Sequence, residues 1–177
     1  SASSRACGLA ASERRMTPID KIQCAAVPDL PTATWTNAYR IGPEVVLSGM
    51  TAHPASRDAA QQGAPLDAQA QTLVVLRKLE ALVQAAGGHR HNIVKTVVYV
   101  TDIADKDEVG RARRDFFGEH TPCSTLVAVK ALVFPELRVE IDEQYFLAFF
   151  DERRPQRRHR GRFGHPTLLV GDRKYAG

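Results

Sequence analysis

The chain has 177 residues, 44% hydrophobic and 25% charged, which suits one globular domain able to bury a core without a disulfide or metal staple. No stretch holds the ~18 apolar residues that a membrane helix needs. The net charge of +4 comes from residues 151–177, which contain eight Lys/Arg and three Asp/Glu. The other 150 residues contain 16 Lys/Arg and 17 Asp/Glu and are close to neutral. We therefore expect residues 151–177 to form a solvated, flexible tail, which could contact phosphates electrostatically.

The cysteines and histidines give no sign of a metal centre. The histidines lack metal-ligand spacing, so no metal is expected. The three cysteines form no CxxC pair, and an odd number without a secretion signal indicates a reduced, cytoplasmic protein. These cysteines are Cys7, Cys24 and Cys123.

Residues 1–34 are expected to form an extended N-terminal leader, because the prolines between 17 and 34 interrupt any sustained period. Residues 35–150 then form the domain. Its first elements are two strands at 38–41 and 45–47, joined by a turn at Gly42-Pro43. The following segment, 51–66, contains prolines and a glycine and is expected to be a loop.

Two amphipathic helices follow. The first begins after an N-cap at Asp67 and ends at Gly87-Gly88, with apolar residues at three- and four-residue steps along one face. The second is expected to open at Asp105 with a capping-box variant and to run to about His120. Its predicted inner face consists of Val109, Ala112, Phe116 and Phe117.

The remaining strands are predicted at 93–101, 125–132 and 138–149, the first of them rich in β-branched residues. The element order β-β-α-β-α-β-β predicts an α+β fold, a mixed sheet with two helices on one face. The other face would present Val97, Tyr99 and Leu126. Because no helix remains to cover that face, oligomerisation is the simplest cover.

Several segments, in this order and spacing, resemble the RidA/YjgF family, also called L-PSP endoribonuclease-like proteins. The run IVKTVVYVTD at residues 93–102 carries most of the resemblance, because FF, P and VEI follow it at the family's distances. The matching pieces are Leu47-Ser48-Gly49, Gln71-Thr72, Ala85-Ala86-Gly87-Gly88, residues 93–102, Phe116-Phe117, Pro122 and Val139-Glu140-Ile141.

The resemblance implies a chorismate-mutase-like fold, a homotrimeric barrel with a small-molecule site at each subunit interface. It implies hydrolysis of reactive imines and enamines to a keto acid and ammonia, without metal or organic cofactor. Some relatives look like 2-aminomuconate deaminases, and others have been described as ribonucleases. A membrane partner is not expected, and the basic tail is the only feature that favours nucleic acid.

The resemblance also implies the site residues. Glu140 matches the carboxylate that positions water or carries a proton, and Ser48 with Gly49 matches the family's pocket serine and its neighbour. Trp35 occupies the position of a family tyrosine. The other substrate-binding candidates are Cys123, Ser124 and Arg138. Alternation places Arg138 on the same strand face as Glu140, where it could bind a substrate or form a surface ion pair.

The chain departs from the family where deaminating members carry an arginine that holds a substrate carboxylate, because Ser124 stands there. Losing a charge-assisted pair costs about 1.5–3 kcal/mol, so imino acids are expected to be poor substrates. Gly110 and Lys78 replace two asparagines. These departures leave three hypotheses open: a deaminase with another substrate, a non-catalytic small-molecule binder, and an RNA-acting protein.

Overall fold

A computed structural model describes residues 17–146, which form one sheet of seven strands with three α-helices. The strands are β1 (Ile19–Lys21), β2 (Ala38–Ile41), β3 (Glu44–Leu47), β4 (Met50–Thr51), β5 (Ile93–Val100), β6 (Cys123–Ala128) and β7 (Val139–Phe146). The helices are α1 (Ala55–Gln61), α2 (Ala68–Ala85) and α3 (Lys106–Phe117).

The sheet order is β1-β2-β3-β7-β5-β6, with β4 also paired to β7. The β5–β6 pair is parallel, since α3 crosses over between these two strands, and the other described pairs are antiparallel. The long strand β7 therefore lies at the centre, between β3 and β4 on one side and β5 on the other. Residues from distant parts of the chain meet along it.

The core lies between one face of the sheet and the helices α2 and α3. Helix α2 begins as predicted, with the Asp67 carboxylate accepting a hydrogen bond from the Ala70 amide at 2.7 Å. Its inner residues are fully buried, each contributing about 1.5–3 kcal/mol, and they pack against apolar side chains of β5 and β7. The cluster includes Leu76, Leu79, Leu82, Val98, Val139 and Ile141.

The structure adds elements that the sequence pattern did not predict. Within the segment 51–66, expected as a loop, residues 55–61 form helix α1. The buried residue of that helix is Ser56, so the helix shows no apolar stripe by which the sequence could predict it. Strand β1 lies within the predicted leader, and Ile22, Cys24 and Val27 pack against the core.

Two local predictions were wrong. Leu126 does not lie on the open face of the sheet: it pairs with the buried Val98 and packs against the core, and the exposed Val127 takes the outward position. The capping box is also absent, since the Asp105 side chain makes no cap hydrogen bond.

Residues 147–149 of the last predicted strand, the tail and residues 1–16 lie outside the described residues. None of the helices in the described range has the length and apolarity to cross a membrane.

Candidate active site

The site is built around an irregularity in the sheet where β3 ends and β4 begins. Strand β3 pairs with β7 as far as Val46, and β4 pairs with β7 from Met50 onward in a shifted register. Between the two registers, residues 47–49 lie opposite residues 142 and 143. An extra residue of this kind is a β-bulge, which bends the strand and re-aims its neighbours.

Gly49, in this bulge, lies directly against the carboxylates of Glu140 and Asp142. A Cβ atom on Gly49 would come within 2.5 Å of both Glu140 Oε1 and Asp142 Oδ1. Only glycine therefore leaves both carboxylates in place. Because the two oxygens lie that close to one point, the distance between them is at most twice that value.

Strand geometry explains why both carboxylates project to the same side. Side chains alternate along β7, so Val139 and Ile141 enter the core while Glu140 and Asp142 point to the open face. Glu140 pairs with Thr51 on β4 and with Tyr99 on β5, and Asp142 pairs with Val97.

Asp142 raises the pKa of Glu140, and both carboxylates raise the pKa of the Tyr99 hydroxyl. Burial raises the pKa of Glu140 above its ordinary value, and the negative charge of Asp142 raises it further. The pKa of Tyr99 is also raised, mainly by the charge of Asp142, then by burial, by its hydrogen bond to Asp142 and by Glu140. Glu140 is therefore the group best suited to take up and release a proton.

A cavity of about 450 Å³ opens beside Gly49. Lys95 lies on the same face of β5 as Val97 and Tyr99. Among the described residues that line the cavity, it is the only lysine or arginine. The cavity therefore combines apolar walls with a few polar groups, as small-molecule sites do. Its lining consists of Val46, Leu47, Ser48, Gly49, Lys95, Val97, Asp142 and Glu143.

Ser48 lines this cavity, but its hydroxyl donates a hydrogen bond of 2.7 Å to the Thr36 carbonyl. Its oxygen can still accept a hydrogen bond from a ligand. Trp35, adjacent to Thr36, is 58% exposed and is not among the cavity residues. The structure therefore brings Ser48, Gly49 and Glu140 together and leaves Trp35 at the surface.

Neither Ser124 nor Cys123 is among the residues that line the cavity, although Cys123 lies directly opposite Lys95 on the neighbouring strand. Ser124 pairs with the buried Thr96, on the helix-covered side. There its hydroxyl accepts a hydrogen bond of 2.8 Å from Arg113 of α3 and one of 3.1 Å from Thr96. Burial lowers the pKa of Arg113, an effect opposed by the charge of Glu143. Cys123 is an exposed free thiol on the edge strand β6.

Arg138 forms an ion pair with Asp105 and not with Glu140. It precedes β7, and its guanidinium forms an ion pair with Asp105 at the start of α3, with Nε 3.0 Å from Asp105 Oδ2. The Asp105 side chain is only 4% exposed. This pairing explains why Asp105 makes no helix cap, and it ties Arg138 to Asp105 rather than to Glu140.

Lys78 supports the site from behind. Its ammonium donates a 2.9 Å hydrogen bond to the Thr51 carbonyl and a second hydrogen bond to the His53 carbonyl. Burial lowers its pKa. Because Thr51 is the β4 partner of Glu140, this lysine holds in place the strand that flanks the carboxylate.

Asp142, Tyr99 and Lys95 did not emerge as site residues from the sequence. The signal that could have found them is the period of two, which puts Asp142 beside Glu140 and Lys95 on the same face as Tyr99. Among residues 17–146, no group of three or more His, Cys, Asp or Glu side chains is placed to hold a metal ion.

The same fold occurs in solved structures of related proteins. A protein of unknown function from Pseudomonas aeruginosa is 59% identical, with a TM-score of 0.74 over 75% of this chain and 95% of that one. A member of the YjgF/YER057c/UK114 family from Mycobacterium tuberculosis is 32% identical, with a TM-score of 0.60 over 73% and 99%. A RutC family protein of Pyrococcus abyssi is 24% identical over 102 residues, 58% of this chain and 78% of that protein.

These similarities define an α+β protein of the YjgF/RidA type. The family model described as Endoribonuclease L-PSP matches residues 27–144, about two thirds of the chain. The protein therefore belongs to the endoribonuclease L-PSP family, and the family resemblance drawn from the sequence is confirmed.

Proposed function

We propose that the protein hydrolyses a small imine or enamine to a carbonyl compound and ammonia in the cavity beside Gly49. The observation that carries this proposal is the pair of carboxylates, Glu140 and Asp142, that meets at a glycine beside a cavity of about 450 Å³. Such a pair supplies a carboxyl group of raised pKa that can carry a proton, with a second carboxylate beside it.

In this proposal Glu140 acts first as a general base. It takes a proton from water while the water oxygen bonds to the carbon of the protonated imine and the C=N electron pair moves to nitrogen. Glu140 then returns that proton to the nitrogen of the carbinolamine. As the C–N bond breaks, ammonia leaves and the hydroxyl proton passes back to Glu140, from which ammonia takes it to become ammonium.

The open face of the sheet supports a homo-oligomer, for which we propose a trimer formed by residues 35–150. Tyr39 and Val46 on the β2–β3 side and Val127 on the β6 edge are exposed hydrophobic residues, and Val97 and Tyr99 between them are only partly buried. Covering this face with a second subunit would bury them and close the cavity.

The test supplies imines in situ, from amines or amino acids with a flavin oxidase, and follows the imine that remains by semicarbazide trapping. Glu140→Gln should lower the rate of imine hydrolysis by about 100-fold or more. Glu119→Gln, the same change at an exposed residue after α3, should leave the rate unchanged. Equal rates for wild type, both variants and buffer would refute the proposal.

A non-catalytic small-molecule binder is the second candidate, because Ser124 replaces the family arginine and engages Arg113 on the covered side. It predicts a ligand whose affinity changes with Glu140→Gln, without turnover of any imine. Isothermal titration beside the trapping assay separates the two functions.

Cleavage of RNA is supported only by the description of the family and by the tail. Residues 17–146 carry 13 Lys/Arg and 16 Asp/Glu. The cavity presents Asp142, with Glu140 beside it, to any ligand, and these carboxylates would repel phosphates. RNA cleavage that survives Glu140→Gln and disappears when residues 151–177 are deleted would favour this third function.

A further inference from the structure

We propose that the cavity selects an imine that carries a protonated nitrogen and no carboxylate, with Asp142 as the counter-ion of the substrate. This inference rests on the proposed function and names the substrate class for the same site. It follows from the charges that face the cavity and from the contacts that the nearby arginines make with other residues.

The open face of the sheet beside the cavity has charges of opposite sign at its two ends. On β5, Lys95 is followed on the same face by Val97 and Tyr99. On β7, Asp142 lies opposite Val97 and Glu140 opposite Tyr99. A ligand that reaches Glu140 therefore meets two carboxylates and a tyrosine hydroxyl, while Lys95 lies at the far end.

The arginines that could receive a substrate carboxylate are bound elsewhere. Arg138 forms its ion pair with the buried Asp105. Arg113 donates hydrogen bonds to Ser124 and Thr96 and faces the charge of Glu143, on the helix-covered side of the sheet. Neither is among the residues that line the cavity.

The electrostatic consequence differs for the two kinds of substrate. In a 2-imino acid, the carboxylate is bonded to the carbon that water attacks, so placing this carbon near Glu140 also places the substrate carboxylate near Asp142. Repulsion between two neighbouring carboxylates in a partly buried site weakens substrate binding on the order of tenfold to a hundredfold. A protonated imine without a carboxylate instead gains a charge-assisted interaction with Asp142.

A bound cation also prepares Glu140 for its role. Its charge offsets that of Asp142, which is one of the two causes that keep the pKa of Glu140 high. With the cation bound, Glu140 loses its proton more readily and can act as the base. The net reaction is balanced: R₂C=NH₂⁺ and water give R₂C=O and NH₄⁺.

The experiment compares two imines that differ only by the carboxylate. A flavin amine oxidase acting on isoamylamine supplies 3-methylbutan-1-imine, and an amino-acid oxidase acting on leucine supplies 2-imino-4-methylpentanoate. Semicarbazide trapping measures both rates with the full chain. Wild-type protein should accelerate hydrolysis of the first at least tenfold more than that of the second.

The variant Asp142→Asn should reduce the acceleration for the carboxylate-free imine by about tenfold to a hundredfold and narrow the preference between the two substrates. The control Asp115→Asn makes the same change at an exposed position of α3 and should alter neither rate. Equal acceleration of both imines, or a preference for the imine from leucine, would overturn the substrate class while leaving imine hydrolysis in place.

If neither imine is hydrolysed faster than in buffer, the proposed function fails, and ligand binding decides the inference about charge. Isoamylammonium should then bind in isothermal titration, with an affinity that Asp142→Asn lowers and Asp115→Asn does not. Absence of isoamylammonium binding, or tighter binding of 4-methylpentanoate, would overturn the inference.

Discussion

Replacing Gly49 by alanine should inactivate the protein with little loss of stability. The added Cβ would lie 2.5 Å from Glu140 Oε1 and 2.5 Å from Asp142 Oδ1, whereas carbon contacts are favourable at about 3.5–4.0 Å. The two carboxylates must therefore move by roughly 1 Å. A displacement of this size in a reacting group costs about 100-fold in rate.

The same geometry explains why the fold should tolerate this change. Gly49 is not one of the glycines with positive φ, so alanine can adopt its backbone conformation. The atoms that the Cβ meets are the ends of two side chains on the open face, which can rotate away. We expect the free energy of unfolding to fall by less than about 1 kcal/mol, measured by urea denaturation alongside the trapping assay.

The matched control is Gly110→Ala in α3. Its Cβ would meet Arg114 Nη1 at 3.5 Å, an ordinary contact. In a helix interior this change should stabilise the protein by about 0.5–1 kcal/mol and leave the rate unchanged. A folded Gly49→Ala protein with full activity would refute the reasoning, because the positions of Glu140 and Asp142 would then not matter for catalysis.

Four further predictions concern stability, pH dependence and assembly. Glu140→Gln should raise the free energy of unfolding at pH 7, because a carboxyl whose pKa is raised in the folded state loses stability as the pH rises through that pKa. The gain should vanish in urea titrations below the ordinary pKa of 4.5. In the wild type, activity should fall as the pH drops through the raised pKa of Glu140, and Asp142→Asn should move this limb of the pH–rate profile to lower pH. Arg138→Ala should lower the free energy of unfolding by about 1–3 kcal/mol, since it leaves the buried Asp105 carboxylate unpaired; a smaller loss by urea denaturation would mean that water replaces the guanidinium. Sedimentation velocity at micromolar concentration should show a trimer that Val127→Asp weakens, and a wild-type monomer would contradict the proposed assembly.

Local patterns in the sequence were sufficient to predict helices α2 and α3, the hairpin and most of the strands. The leucine stripe of α2, the cap at Asp67 and the β-branched run of β5 each depend on residues within a few positions of one another. The short helix α1 was missed because its seven residues carry no apolar stripe. Leu126 was assigned to the wrong face because the edge strand β6, largely exposed, shows no clear alternation.

The sequence by itself determined the family and the α+β class and predicted Glu140 as the catalytic carboxylate, because these depend on local pattern and on the spacing of short motifs. The tertiary structure decided which side chains meet. Gly49 reaches Glu140 and Asp142 only because β4 pairs with β7, and Arg138 turns to Asp105 because α3 begins beside it. Such pairings depend on the free energy of the whole packed sheet, in which distant strands become neighbours, and the order of residues along one strand does not specify them.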